Sequence, residues 1–161
     1  MFDRVKKGIE LGYEQTDIAA GLDIRGKIAW DDALKDVAAA MDAVKGAGKV
    51  GVVGYCWGGS LSWLAACRIK PAAASCYYGG QLHDFKDEKP TCPTMLHFGE
   101  KDASIPLEKV EAVRAKHPNL PLFIYKDAGH GFHCDQRGSF HPTSAKQAME
   151  RTLDFFRKNV G

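Results

Sequence analysis

Apolar and polar positions follow two different rhythms along the chain, and the switches between them mark a series of strand–helix units. Leu34, Val37, Ala38, Met41 and Val44 recur at three- and four-residue steps. That spacing predicts a helix running to about Lys45, with Asp31 or Asp32 as its cap. The next run, Lys49-Val50-Gly51-Val52-Val53, is short, β-branched and apolar, as suits a strand buried on both faces. Ser60 to Cys67 is rich in alanine and leucine and reads as helix. A strand near Ala72 to Tyr78 ends at Gly79-Gly80, and a polar loop from Gln81 to Cys92 leads to a buried-type strand, Pro93 to Phe98. Pro106 opens a helix that ends near His117-Pro118, and Leu120 to Lys126 forms the last strand. Pro142 begins a final helix that turns Ala145, Ala148, Met149, Leu153 and Phe156 toward the sheet. Before Gly26 the chain is polar and glycine-punctuated, with a short helix around Asp17 to Leu22. Strands alternating with helices predict an α/β fold: a mostly parallel sheet with flanking helices in three layers.

Composition narrows the function classes. A chain of 161 residues has the length of one domain, so residues 1–161 are read as a single unit. The net charge of +2, with both signs interspersed, leaves no basic footprint for nucleic acid. No apolar stretch approaches the roughly 20 residues that span a bilayer, and the first residues lack the apolar core of a signal peptide. The five cysteines, at 56, 67, 76, 92 and 134, form no CxxC pair and no zinc-like spacing. Histidines 83, 97, 117 and 141 are scattered, so no metal site is expected. A reducing cytoplasm is the simplest location.

The chemistry is concentrated in Gly54-Tyr55-Cys56-Trp57-Gly58-Gly59, which has the G-x-nucleophile-x-G spacing of a nucleophile elbow with cysteine at its centre. Such a strand-to-helix turn needs small residues around the nucleophile, and it points the Cys56 sulfur at the positive end of a helix, which favours thiolate. The bland alternative is a glycine-rich junction carrying a buried, inert thiol. Two further loops follow strands at the same sheet edge, where open α/β sheets bind ligands. One, Gly99 to Pro106, carries Asp102; the other, Asp127 to His133, carries His130. Nucleophile, acid and histidine thus occur in the chain order of an α/β-hydrolase triad. His130 would take the thiol proton and Asp102 would orient its ring. Trp57 N–H, directly after the nucleophile, is the expected first oxyanion donor. Glu100 competes with Asp102 for the orienting role, and His133 with His130 for that of the base. Cys67, Cys76 and Cys92 read as structural, while Cys134 is the one thiol placed to partner Cys56 in redox chemistry.

Assembled, these segments resemble the dienelactone hydrolase family. The stretch from Lys49 to Gly59 resembles its elbow with the cysteine nucleophile. Gly99-Glu100-Lys101-Asp102 with Ile105-Pro106 resembles its acid loop, Ala128 to Phe132 its histidine loop, and Glu150 to Phe156 its closing helix. The resemblance implies a cofactor-independent hydrolase of small lactones or esters, carboxymethylenebutenolidase-like, using Cys56, His130 and Asp102. It implies enol-lactones bearing a carboxylate as substrates, with Arg4 resembling one carboxylate-binding arginine. Cys134 stands where the family's second arginine falls, with Arg137 close by as a substitute. It also implies several N-terminal strands ahead of Met1, supplying the other oxyanion amide and a glutamate that controls the thiol. On that reading the chain is the C-terminal two-thirds of the family fold, and the strand from Lys49 to Val53 has an open edge that those strands or another copy of the chain would cover. The alternatives are a general carboxylesterase or thioesterase, and a catalytically incompetent interaction module.

Overall fold

A computed structural model describes residues 1–161. Nine regular elements follow in chain order: helices α1 (Gln15–Gly26) and α2 (Trp30–Val44), strand β1 (Gly51–Tyr55), α3 (Trp57–Arg68), β2 (Ala73–Tyr77), β3 (Thr94–Gly99), α4 (Leu107–Lys116), β4 (Leu122–Tyr125) and α5 (Pro142–Asn159). Single 3-10 turns occupy Phe2–Arg4, Lys45–Ala47 and Leu82–Phe85. The strands form one sheet in the order β1-β2-β3-β4, every pair parallel. Each crossover carries the chain back along the sheet, so all four strands end at the same edge.

The predicted alternation is present, with informative shifts at the boundaries. α2 starts at Trp30 from Ala29, so neither Asp31 nor Asp32 is its cap. Both lie in the first turn, where their charge meets the positive helix end. α3 begins at Trp57, taking in Gly58 and Gly59, which composition alone marks as helix breakers. Close packing requires Gly59 there and Gly54 in β1: a Cβ on Gly54 would overlap the Gly58 carbonyl, and one on Gly59 the Tyr77 carbonyl, whereas one on Gly58 would meet open space. Inside the loop from 81 to 92, Leu82 is fully buried and Trp63 Nε1–H donates to the Phe85 carbonyl at 3.1 Å.

Helices cover both faces of the sheet. On one, α3 packs against β1 and β2 and α2 against α3, around Leu61, Leu64, Cys76, Leu96 and Phe98. On the other, α5 lies over Ser75, Tyr77 and His97. The stripe its sequence displays is met in part: Ala145 and Ala148 face the sheet and Phe156 reaches Gly51 of β1, but Met149 and Leu153 do not go inside. Ala145, Ala148 and Thr152 are buried, whereas Met149 and Leu153 are exposed. The reason is a polar hub. Thr152 Oγ1 lies 2.7 Å from Tyr77 OH, 3.1 Å from Ser75 Oγ and 3.1 Å from His97 Nε2, and Tyr77 OH donates to the Ala148 carbonyl. Small and hydroxyl-bearing residues therefore face the middle of the sheet, Phe156 packs against Gly51 of β1, and Met149 and Leu153 are left exposed.

Candidate active site

Cys56 sits between the last residue of β1 and the first of α3 with φ 56° and ψ −118°. A side-chain-bearing residue in this region costs on the order of 1–3 kcal/mol and persists only when its surroundings enforce it. Here Cys56 N–H donates to the Tyr77 carbonyl at 3.0 Å, and the Cys56 carbonyl accepts from Gly59 N–H at 2.9 Å. The turn lifts the thiol to the carboxyl edge of the sheet, at the N-cap of α3.

The other two loops reach the same point. His130 Nε2 is 3.1 Å from Cys56 Sγ, and its Nδ1 is 2.8 Å from Asp102 Oδ2. The Asp102 side chain is wholly buried and that of His130 is 20% exposed. Burial alone pushes the thiol up, but the His130 hydrogen bond and charge, the Trp57 N–H and the more distant charge of Arg137 outweigh it, so Cys56 falls below the ordinary thiol value of 9.0. Burial likewise opposes charging of His130, yet hydrogen bonds to Asp102 and Cys56 carry it from 6.5 to about 9. At neutral pH this geometry favours a thiolate–imidazolium pair.

The competing assignments separate cleanly. Glu100 accepts from Asp127 N–H at 3.0 Å on the exposed side of the turn, away from His130. His133 stacks among Tyr55 and Tyr77, its buried Nε2 unpartnered, and burial lowers its pKa. The Trp57 amide lies against the Cys56 sulfur, and its indole is flanked by Phe2 and Trp30 at 6.1 and 6.0 Å. Arg4 is not brought to this site: its guanidinium grips Asp36 on α2 through bonds of 2.8 and 2.7 Å. Cys134 lies near Tyr13, whose hydroxyl pKa it raises, and Arg137 folds over Gly131, whose φ of 75° and lack of Cβ leave room for it.

A cavity of ≈ 280 Å³ opens beside the relay, lined in part by Cys56, His130, Gln81 and Ser104. Arg25, Asp84 and Lys109 also line it. No sequence motif marked these three, because they come from α1, a 3-10 turn and α4, whose convergence only the fold creates. A larger groove of ≈ 470 Å³ runs along the open side of β1, walled by Val37, Met41, Val52, Trp57 and Leu61. It holds neither Cys56 nor His130.

Comparison with known proteins places the chain among its relatives. Residues 6–160 match the model of the dienelactone hydrolase family. A Yersinia pestis protein provisionally named carboxymethylenebutenolidase is 35% identical over 126 residues, covering 69% of this chain and 47% of the relative. The Pseudomonas putida carboxymethylenebutenolidase is 34% identical over 113 residues, covering 67% of this chain and 48% of the relative. The chain thus spans about half the length of the curated relatives it matches. A solved structure from Klebsiella pneumoniae subsp. pneumoniae, provisionally titled a dienelactone hydrolase, superposes with a TM-score of 0.76 at 28% identity, over 82% of this chain and 63% of that one.

Proposed function

The chain belongs to the dienelactone hydrolase family, and on that premise we propose that it hydrolyses small lactones or carboxylic esters through Cys56, His130 and Asp102. The observation that most supports this reading is the unbroken relay from Cys56 Sγ to His130 Nε2 at 3.1 Å and from His130 Nδ1 to Asp102 Oδ2 at 2.8 Å.

The Cys56 thiolate attacks the substrate carbonyl carbon, forming a C–S bond as the carbonyl electrons move to oxygen. The Trp57 N–H, which has no backbone acceptor at the start of α3 and faces the Cys56 sulfur in the resting site, turns to stabilise that oxyanion as the negative charge leaves the sulfur. When the tetrahedral centre collapses, the C–O bond breaks and the departing alkoxide takes the proton from His130 Nε2. In a lactone that alcohol stays tethered to the acyl group. His130, now neutral, removes a proton from water as it attacks the thioester, and the acid product leaves with the thiolate restored. Asp102 keeps the ring oriented and stabilises its charged form throughout.

The test is hydrolysis of p-nitrophenyl acetate and of an activated enol-lactone by the wild type, Cys56→Ser and His130→Ala. The expected loss is about 10²- to 10⁴-fold for His130→Ala, with a comparable or greater loss for Cys56→Ser and an acyl adduct on the wild-type Cys56 peptide by mass spectrometry. Equal rates for all three proteins would remove the triad reading, and an inert wild type would leave the interaction-module reading in its place.

A further inference from the structure

Four residues other than glycine have positive φ: Cys56, Lys70, Tyr78 and Asp127. Lys70 and Asp127 are exposed. The other two lie at the active site. Tyr78, directly after β2, holds φ 35° although it is a buried aromatic residue, only 2% exposed. A bulky residue in this region is strained, and the strain persists only where the surroundings enforce it. Here they do. The Tyr78 N–H donates to the His97 carbonyl at 2.7 Å. On either side the backbone is pressed against the start of α3: a Cβ on Gly59 would overlap the Tyr77 carbonyl, and one on Gly79 would meet Ser60 N at 2.7 Å. Glycine stands at the next two positions, yet the strained place itself carries a tyrosine. A local rule broken without local gain points to a use elsewhere.

The ring contacts show that use. Tyr78 meets His130 in a T-shape, with centroids 5.2 Å apart at 61°, and Phe132 likewise at 5.3 Å and 71°. Burial raises the Tyr78 pKa, so the ring stays neutral beside the thiolate–imidazolium pair. The bonds from His130 Nδ1 and Nε2 hold two points of the imidazole. They leave it free to tilt about the line through those atoms, and a third contact off that line removes the freedom. We propose that Tyr78 is a positioning residue: its ring sets the tilt of His130, so that Nε2 stays aligned on the Cys56 sulfur and then on the leaving oxygen and the attacking water. This rests on the reading of His130 as general acid and base. A small misplacement of a proton-transferring group is costly in rate, and the locked backbone at Tyr78 keeps the ring from relaxing away. Phe132, itself fully buried, packs on the Tyr78 ring and ties it to the histidine loop.

Two readouts test this together: kcat on p-nitrophenyl acetate, and the pH dependence of Cys56 alkylation by iodoacetamide, followed on the Cys56 peptide by mass spectrometry. In the second the thiolate displaces iodide and an S–CH₂ bond forms, so no turnover is needed. The variants are Tyr78→Leu, Tyr78→Met, Tyr78→Phe and, as a control for lost packing alone, Leu64→Ala in the core of α3. Methionine has similar reach but no ring plane, so it repeats the leucine comparison with less loss of volume. Tyr78→Leu and Tyr78→Met should lower kcat about 10- to 100-fold. Both should also raise the pH midpoint of alkylation, because the thiolate loses its aligned partner. Tyr78→Phe keeps the ring and should restore both readouts. Leu64→Ala should lower the urea midpoint and leave both readouts alone. Wild-type kcat and alkylation midpoint in Tyr78→Leu or Tyr78→Met overturn the proposal. Failure of both to fold also overturns it, making the ring a packing element. So does a loss in Tyr78→Phe equal to that in Tyr78→Leu, since the hydroxyl would then be the acting group. If instead His130→Ala leaves the alkylation midpoint unmoved, the reading of His130 itself fails, and the positioning role with it.

Discussion

At Asp102 one carboxylate serves two ends through its two oxygens. Oδ1 accepts from Ser104 N–H at 2.9 Å and Ile105 N–H at 3.1 Å, fixing the loop, while Oδ2 is 2.8 Å from His130 Nδ1. An asparagine can keep the loop bonds but presents an amide N–H to the histidine, which then adopts the wrong tautomer. Asp102→Asn should therefore fold normally by circular dichroism and lose on the order of 10⁴-fold in kcat. Titration of Cys56 probes the same relay. His130 is raised to about 9, so its contribution to stability is complete below 6.5 and is lost as pH rises through about 9. Cys56 is lowered, so its contribution is present above 9.0 and is lost as pH falls through the folded-state value. The ion pair occupies the window between that value and about 9. Replacing His130 by Gln should move the thiolate absorbance midpoint up by about one pH unit or more; an unmoved midpoint would show that the histidine does not set the thiol. These residues were legible because each follows a strand in the required order. Glu100 and His133 could be separated from Asp102 and His130 only once side-chain directions were known, and Arg25 and Lys109 were invisible to any local pattern.

At the scale of the element, α5 shows how a correctly read helix face can still misplace two of its residues, since Ala145 and Ala148 are buried as expected while Met149 and Leu153 are exposed. Their place in the sequence stripe points to burial, but the strands beneath carry Tyr77 and His97, which fill the space and need hydrogen-bond partners. Thr152 supplies them, and burial holds His97 neutral, down at about 3. His97 Nδ1 is paired with Tyr125 OH at 2.8 Å, so the hub ties α5 to three strands. Thr152→Val keeps the shape but strips Ser75, Tyr77 and His97 of a shared partner. The expected cost is about 1–3 kcal/mol, seen as a lower urea midpoint with an unchanged m-value. Because the unfolded state protonates His97 near 6.5 and the folded state resists until about 3, stability should also decline as pH falls below 6.5. A Thr152→Val midpoint equal to that of the wild type would demote the hub to incidental contacts. The elbow is the converse case. Gly59 reads as a breaker of α3, yet the helix takes it in because only a hydrogen fits against the Tyr77 carbonyl, just as only a hydrogen fits at Gly54 of β1 against the Gly58 carbonyl.

Across the whole molecule, the alternation of strands and helices gave the parallel sheet and its chain order directly, and with them an open flank on β1. β1 pairs with β2 alone, so its outer row of N–H and C=O groups meets no other strand. Side chains along β1 are apolar and accessible: Val53 is 46% exposed and Tyr55 39%. An unpaired strand edge with an apolar surround is a template for association. The groove behind it, ≈ 470 Å³ and mostly apolar, widens the surface that association would bury. Both features favour self-association of the isolated chain through this flank. Sedimentation equilibrium should accordingly show an average mass that rises with concentration. Val53→Lys places a charge on the edge, the device natural sheets use to block strand addition, and it should restore the monomer mass without touching Cys56 alkylation. A concentration-independent monomer for the unmodified chain would mean that α5 and the groove walls shield β1 well enough on their own.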